Sequence, residues 1–284
     1  MRIIALSAAA VAVAAAIPAQ AQQGGSEDLL SGSAYDGDYV SIGIAGVYGP
    51  SYDGSDDYVF SPIPIVQASI GGIDINPRGG GLAVDFVPDG DGPVSFDAGI
   101  SVGLSTNRAR QIKDPVVKSL GKLDTAVEVG PTVGVSYSGL LNPYDSLSAS
   151  VDVRWDVAGA HEGRVISPGI SYFTPLSRSM VTALSLSAEH TNGKYMDYYY
   201  SVTPEQFEAS GLPVFEPDGG GFSKAGATLF WGLDLDGDLT NGGFGLIVVG
   251  SYSKMLGDAK RSPFTSIRGD ADQWLGAVGI GYTF

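Results

Sequence analysis

An all-β fold, a transmembrane antiparallel β-barrel of about twelve strands with long outer loops and short periplasmic turns, is what the sequence predicts. Three observations carry this. Apolar and polar residues alternate with period 2 over stretches of about ten residues, the length a tilted strand needs to cross a bilayer. After residue 21 no continuous apolar run is long enough for a transmembrane helix, although 44% of the residues are hydrophobic. The composition, with 41 Gly, 14 Tyr and only 17% charged residues, suits strands and turns better than helices.

Residues 1–21 read as a signal peptide: Arg2 supplies the positive charge, Ile3 to Ile17 the apolar stretch, and Ala19-Gln20-Ala21 a small-x-small cleavage site. The stretch is shorter than the roughly 20 apolar residues of a spanning helix. Export and cleavage after Ala21 would leave a periplasmic N-terminal segment, 22–37, and a barrel over 38–284. There is no cysteine, hence no disulfide and no lipid-modified N-terminal cysteine.

Strands are predicted near 38–48, 59–70, 72–77, 80–87, 93–104, 123–137, 145–158, 164–175, 179–190, 221–235, 243–253 and 272–284. The alternation is cleanest in Leu147 to Val157, "LSASVDVRWDV", where Leu147, Ala149, Val151, Val153, Trp155 and Val157 share one face and Ser148, Ser150, Asp152, Arg154 and Asp156 the other. Soluble sandwiches alternate too, but their strands average about five or six residues. The hydrocarbon layer holds no water, so every backbone amide must pair, and a sheet achieves this only by closing on itself.

Twelve is even, as bacterial single-chain barrels require. The count hangs on 71–87, where "NPRGGG" is either a tight outer turn between two short strands or a bulge in one; ten strands is the alternative. Parity then puts the long connections 105–122, 191–220 and 254–271 on the outer side. The turns "TPLSRS", "GDGP" and "DGDLTNGG" fall on the periplasmic side.

A net charge of −15 excludes a nucleic-acid partner, which would need a basic face. His161 and His190, the only histidines, fall at the outer ends of different strands in no metal-binding spacing and read as rim residues. "DLDGDLTNGG" departs from an EF-hand loop, since Gly237 stands fourth rather than sixth and Gly245 takes the place of the terminal Glu. Asp53, Asp56 and Asp57 on a short outer loop are a candidate divalent-cation site facing anionic lipopolysaccharide, a solvated acidic loop being the plainer reading. "PRGGGLAV" lacks the spacing of a phosphate loop. "YMDYYY", Tyr195 to Tyr200, reads as part of an aromatic girdle rather than a ligand platform. No catalytic residue and no cofactor is assigned.

The inward set includes Asp97, Glu128, Asp152, Arg154, Asp156 and Glu189, charges that either pair and plug the lumen or line a small cation-preferring pore. In the last strand Trp274, Val278, Ile280, Tyr282 and Phe284 face lipid, and closure requires pairing with Val40 to Tyr48. Tyr282 and the terminal Phe284 match the signal that outer-membrane barrels present to their assembly machinery.

Three stretches, "YGPSYDGSDDYVFSPIPIV" (Tyr48 to Val66), "KYMDYYYSVTPEQFEASGLPVFEPDGG" (Lys194 to Gly220) and "YSKMLGDAKRSPF" (Tyr252 to Phe264), resemble signatures of the MipA/OmpV family of MltA-interacting outer-membrane proteins. The resemblance implies a Gram-negative outer-membrane barrel acting as a scaffold between a murein-degrading lytic transglycosylase and a murein-synthesising penicillin-binding protein. It supplies no catalytic residue. A passive small-solute channel is the alternative, and adhesion through 191–220 a third reading.

Overall fold

The computed structural model describes residues 34, 35, 37–88 and 92–284. Residues 1–21, which the sequence predicts to be a signal peptide, and residues 22–33 lie outside this set. The described residues form twelve antiparallel strands closed into one barrel: β1 (Tyr39–Pro50), β2 (Tyr58–Ile70), β3 (Ile73–Arg78), β4 (Gly81–Asp85), β5 (Val94–Ser105), β6 (Ala126–Ser138), β7 (Ser146–Asp156), β8 (Arg164–Pro175), β9 (Met180–Thr191), β10 (Gly221–Asp234), β11 (Gly243–Met255) and β12 (Asp272–Thr283). No helix among the described residues is long and apolar enough to cross a membrane. "NPRGGG" is the turn between the two short strands β3 and β4, so twelve, not ten, is the count.

The seam closes as the final alternation requires, from Ser41↔Thr283 to Tyr48↔Gly276. Outward positions carry exposed Ile42, Ile44, Ile100, Val133, Leu184 and Val278, the face a lipid-bathed wall must show. Aromatic pairs mark its two rims: Tyr252 and Trp274, 4.9 Å apart, at the outer end, and Phe244 and Tyr282, 4.8 Å apart, at the periplasmic end.

Inside, the wall has two characters. Ala45, Val47, Ile63, Phe173, Val181, Ala183, Phe230, Val249 and Ala277 form a belt over the contiguous strands β8 to β12, β1 and β2, and Leu239 of a periplasmic turn packs onto it. These residues point inward, yet Ile63 is only 1% exposed and Phe230 3%. An inward side chain can be that dry only where other side chains fill the lumen at its level.

The long outer connections are not plain loops. They contain five short helices, α1 (Pro115–Ser119), α2 (Gly193–Tyr200), α3 (Pro204–Ser210), α4 (Gly257–Arg261) and α5 (Pro263–Ser266). Local chemistry starts them. Asp114 caps α1 by accepting from Val116 and Val117 N–H, and Thr203 and Gln206 form a reciprocal capping box on α3. Proline follows the cap directly in α1, α3 and α5. The loops pack on one another through Tyr52, Ile112, Val117, Val202, Leu212 and Phe264, a hydrophobic cluster drawn from four different connections. Together they form a roof over the outer mouth.

Candidate functional site: a roofed chamber in the barrel

Between the apolar belt and the roof the lumen holds a cavity of about 920 Å³. Its wall over β7 to β9 is hydroxyl-rich, because Ser148, Ser150, Ser167, Ser171, Ser185 and Ser187 take the inward positions. Ser171 and Ser185 bond across the strands at 2.9 Å.

Two ionic clusters stand in this wall. In the first, Arg154 Nε donates to Glu128 Oε2 at 3.2 Å and Nη1 to Asp152 Oδ2 at 3.1 Å, with all three residues nearly buried. Asp152 and Arg154 are two apart on one strand and so share a face, and the β6 to β7 ladder brings Glu128 alongside. Gly103 makes room, since a Cβ there would lie 3.0 Å from Arg154 Nε. His161 joins them through Nε2 and Glu128 Oε1 at 3.2 Å, while its Nδ1 accepts from Gly163 N–H at 2.9 Å. Both ring nitrogens are thus engaged, and a buried partner of the network replaces the rim histidine read from sequence. His190 lies outward on β9 against Phe222, ring centroids 5.2 Å apart.

In the second cluster Lys224 Nζ lies 3.0 Å from Asp53 Oδ2 and 3.5 Å from Glu189 Oε2. Glu189 and Lys224 are registered partners on β9 and β10. Asp53 descends from the loop between β1 and β2, which corrects its assignment as a cation ligand with Asp56 and Asp57. Lys224 already neutralises it, and among the described residues no group of three His, Cys, Asp or Glu could hold a metal ion.

Of the other inward residues, Asp97 lines the chamber, and a Cβ on Gly134 would come within 2.6 Å of its Oδ2. Asp156 does not line it. Its carboxylate turns up to accept N–H of Ala158 and Glu162, folding the loop between β7 and β8. The competing backbone donors are too close for it to reach the lumen.

The ceiling is α2, and here the girdle reading of Tyr195 to Tyr200 fails. Tyr195, Tyr199 and Tyr200 are buried, with Tyr199 0% exposed, because a helix rather than a strand carries them and sets Tyr195 and Tyr199, four residues apart, on one face. Tyr195 Oη donates to Glu189 Oε1 at 3.4 Å and Tyr199 Oη to Ser105 Oγ at 3.0 Å. His161 packs edge-on against Tyr195, 4.9 Å between ring centroids. Burial raises the Tyr195 and Tyr199 phenols above their ordinary range, so both stay protonated donors.

Arg108 pins this helix from above. Its Nη1 donates to Tyr199 O at 3.0 Å and its guanidinium sits 3.9 Å from the Phe264 ring centre. Burial lowers its pKa to about 10, against partial support from Tyr52, so it is still charged at neutral pH. Asp114 clasps the roof: besides capping α1 it accepts from Arg268 Nε at 3.0 Å, joining the loops after β5 and β11. Burial opposes its charge, but the Arg268 bond and the Val117 N–H outweigh burial and hold it below the usual carboxylate range.

A carboxyl lowered on folding contributes stability that is present above its unfolded value and lost as pH falls through the folded one. The roof should therefore resist protease at neutral pH and loosen only below about pH 4. Asp114→Ala, which removes a cap of about 1 kcal/mol, should loosen it at neutral pH and abolish that acid step. Limited proteolysis against pH checks both.

Lys224, Arg108 and the tyrosine ceiling were not selected from sequence. The capping patterns Asp114-Pro115, Thr203-Pro204-Glu205-Gln206 and Ser262-Pro263 were the available signal that the outer connections fold. The pairing of Asp53 with Lys224, 171 positions apart, leaves no local trace.

A family model described as MltA-interacting protein MipA matches residues 42–284. No curated protein matches the chain. Among solved structures, the chain is similar to an outer-membrane channel of Pseudomonas putida F1 (12% identity, 87% of this chain and 96% of that one, TM-score 0.45). It is also similar to the Pseudomonas putida toluene transporter TodX (9% identity, 91% and 93%, TM-score 0.36). A third is outer-membrane expressed OmpT of Vibrio cholerae (6% identity, 87% and 97%, TM-score 0.34).

Proposed function

The chain belongs to the MltA-interacting protein MipA family, and on that premise we propose that this outer-membrane barrel is a non-conducting, non-catalytic scaffold that ties a lytic transglycosylase and a penicillin-binding protein to the outer membrane. The observation that carries the proposal is the filled lumen. The dry belt around Ile63, Phe173 and Phe230 lies below the chamber and the loop roof lies above it, an arrangement that favours a closed lumen over transport. His161, with both nitrogens bonded, offers no free base. The hydroxyl-lined chamber is what favours the second reading, a passive small-solute channel.

A scaffold needs a firm periplasmic face. Asp234 Oδ1 accepts three N–H groups, those of Asp236, Gly237 and Asp238, and so folds the turn between β10 and β11. Arg178 Nη2, 3.0 Å from Asp238 Oδ2, joins it to the neighbouring turn. Ala34 N–H donates to Thr240 O at 2.7 Å, which sets the end of the 22–37 segment beside the same turn. Immobilised barrel should retain a lytic transglycosylase from solution, and lose it when 22–33 is deleted. Absence of retention by the full chain would overturn the scaffold reading.

The terminal pair fits an address for the assembly machinery. Phe284 is 67% exposed, touches Tyr282 at 4.7 Å and donates its N–H to Val40 O. Deleting Phe284 should sharply reduce outer-membrane levels, while the barrel that does fold loses only about 1 kcal/mol, one hydrogen bond. Normal outer-membrane levels of the deletion variant, judged by heat-modifiable migration, would contradict this.

A further inference from the structure

The barrel wall has one long unpaired edge. β2 is 13 residues long, but on its β3 side only Ala68, Ser69 and Ile70 have partners, Ile75, Asp74 and Ile73. β3 turns back at Gly79 and Gly80, so from Tyr58 to Gln67 no strand pairs with that side of β2. At the usual rise per residue this stretch is roughly 30 Å long.

Backbone donors left unpaired at membrane depth are costly. The edges are accordingly poor in them: Pro62 and Pro64 on β2 and Pro77 on β3 have no N–H to lose. The loop after β5 covers only the outer end, through Gln111 Nε2 to Ser61 Oγ at 3.4 Å and Lys113 Nζ to Tyr58 O at 2.5 Å. The chamber extends to this seam, since Ser61, Pro62, Pro64, Asn76 and Arg78 all line it.

Charge distinguishes the seam from the rest of the chamber. Arg154 and Lys224 each hold two carboxylates. Arg78 and Arg110 also line the chamber and have no carboxylate partner among the described residues. Arg78 Nε is a buried donor with no hydrogen bond. Arg78 stands at the seam itself and Arg110 precedes Gln111 on the loop that covers its outer end, so two cations outside the ion-pair clusters offer a local site for an anion.

We propose that the seam between β2 and β3 is a lateral portal through which an amphiphile with an anionic head, carboxylate or phosphate, enters the chamber from the membrane. The head binds Arg78 and Arg110, and the apolar chain stays in the seam between β2 and β3. This goes beyond the scaffold role and does not rest on it, because the portal opens to lipid whether or not a murein enzyme is bound.

The test uses the refolded full barrel in non-ionic detergent with the fluorescent fatty acid cis-parinarate as probe. Saturable binding is expected, weakened about tenfold or more in Arg78→Ala/Arg110→Ala, as expected for lost hydrogen bonds to a charged group. Displacement by dodecyl phosphate or by purified lipid A tells whether phosphate heads, and those of the membrane's own lipid, share the site; dodecanol should not displace.

A second variant tests the route. Val66→Cys/Pro77→Cys places two cysteines two positions beyond the last paired residues, Ala68 and Ile75, of the β2 to β3 ladder in a chain that has none. Oxidation should slow probe entry and reduction restore it. Absent probe binding, equal binding by the double arginine variant with normal heat-modifiable migration, equal displacement by dodecanol, or entry unaffected by the staple would each overturn the proposal.

Discussion

Arg154→Ala should lower the stability of the folded barrel by about 3–5 kcal/mol, because it leaves Glu128 and Asp152 facing each other as buried charges without a cation. Glu128 and Asp152 are each only 5% exposed, so solvent does little to screen them. The measurement is a urea titration of the refolded barrel followed by heat-modifiable migration. The triple variant Glu128→Gln/Asp152→Asn/Arg154→Met, which removes the charges together, should recover most of the loss. If the single variant unfolds with the wild type, the network is not a structural element of the lumen. His161, which bonds to Glu128, would then have lost its stated reason for burial.

Tyr199→Ala has the next largest expected effect, and it falls on a different part of the molecule. Replacing a fully buried aromatic by alanine costs about 3–5 kcal/mol. Tyr199 packs on Tyr195 at 4.7 Å and Tyr198 at 5.0 Å and bonds Ser105. These contacts join α2 to β5 and not the barrel strands to one another, so the loss should appear as local opening. Protease should cut within 192–220 and 256–271, while the barrel keeps its heat-modifiable migration. A variant whose roof remains uncut would show that α2 is not what holds the outer loops together.

The strands were legible because one physical demand governs them: lipid on one side, lumen on the other, and a period of two between. β7 and β12 follow that pattern almost residue by residue, and the register of β12 with β1 is the one its apolar face requires. Where boundaries move, a loop contact takes the residue. Leu123 and Asp124, predicted to open β6, instead donate their N–H groups to Arg108 O and Tyr198 Oη.

The inner belt left a trace that the two-face pattern masks. Phe230-Trp231 and Ile247-Val248-Val249 are apolar on both faces of their strands, which no water-filled lumen wants. The roof was less accessible. Its helices are announced by caps at Asp114, Asn192 and Thr203, but their association joins residues as far apart as Tyr52 and Phe264. The three carboxylates of the first outer loop show the same limit. Sequence proximity suggested that Asp53, Asp56 and Asp57 act together, whereas burial sends Asp53 to Lys224 and leaves the others on the loop.

Single-channel recording in planar bilayers tests the filled-lumen account most directly. The refolded wild-type barrel should be electrically silent, and Phe173→Ala/Phe230→Ala, which hollows the belt below the chamber, should gain stepwise conductance in the same preparation. Stepwise conductance by the wild type would contradict the account and return the barrel to the channel reading.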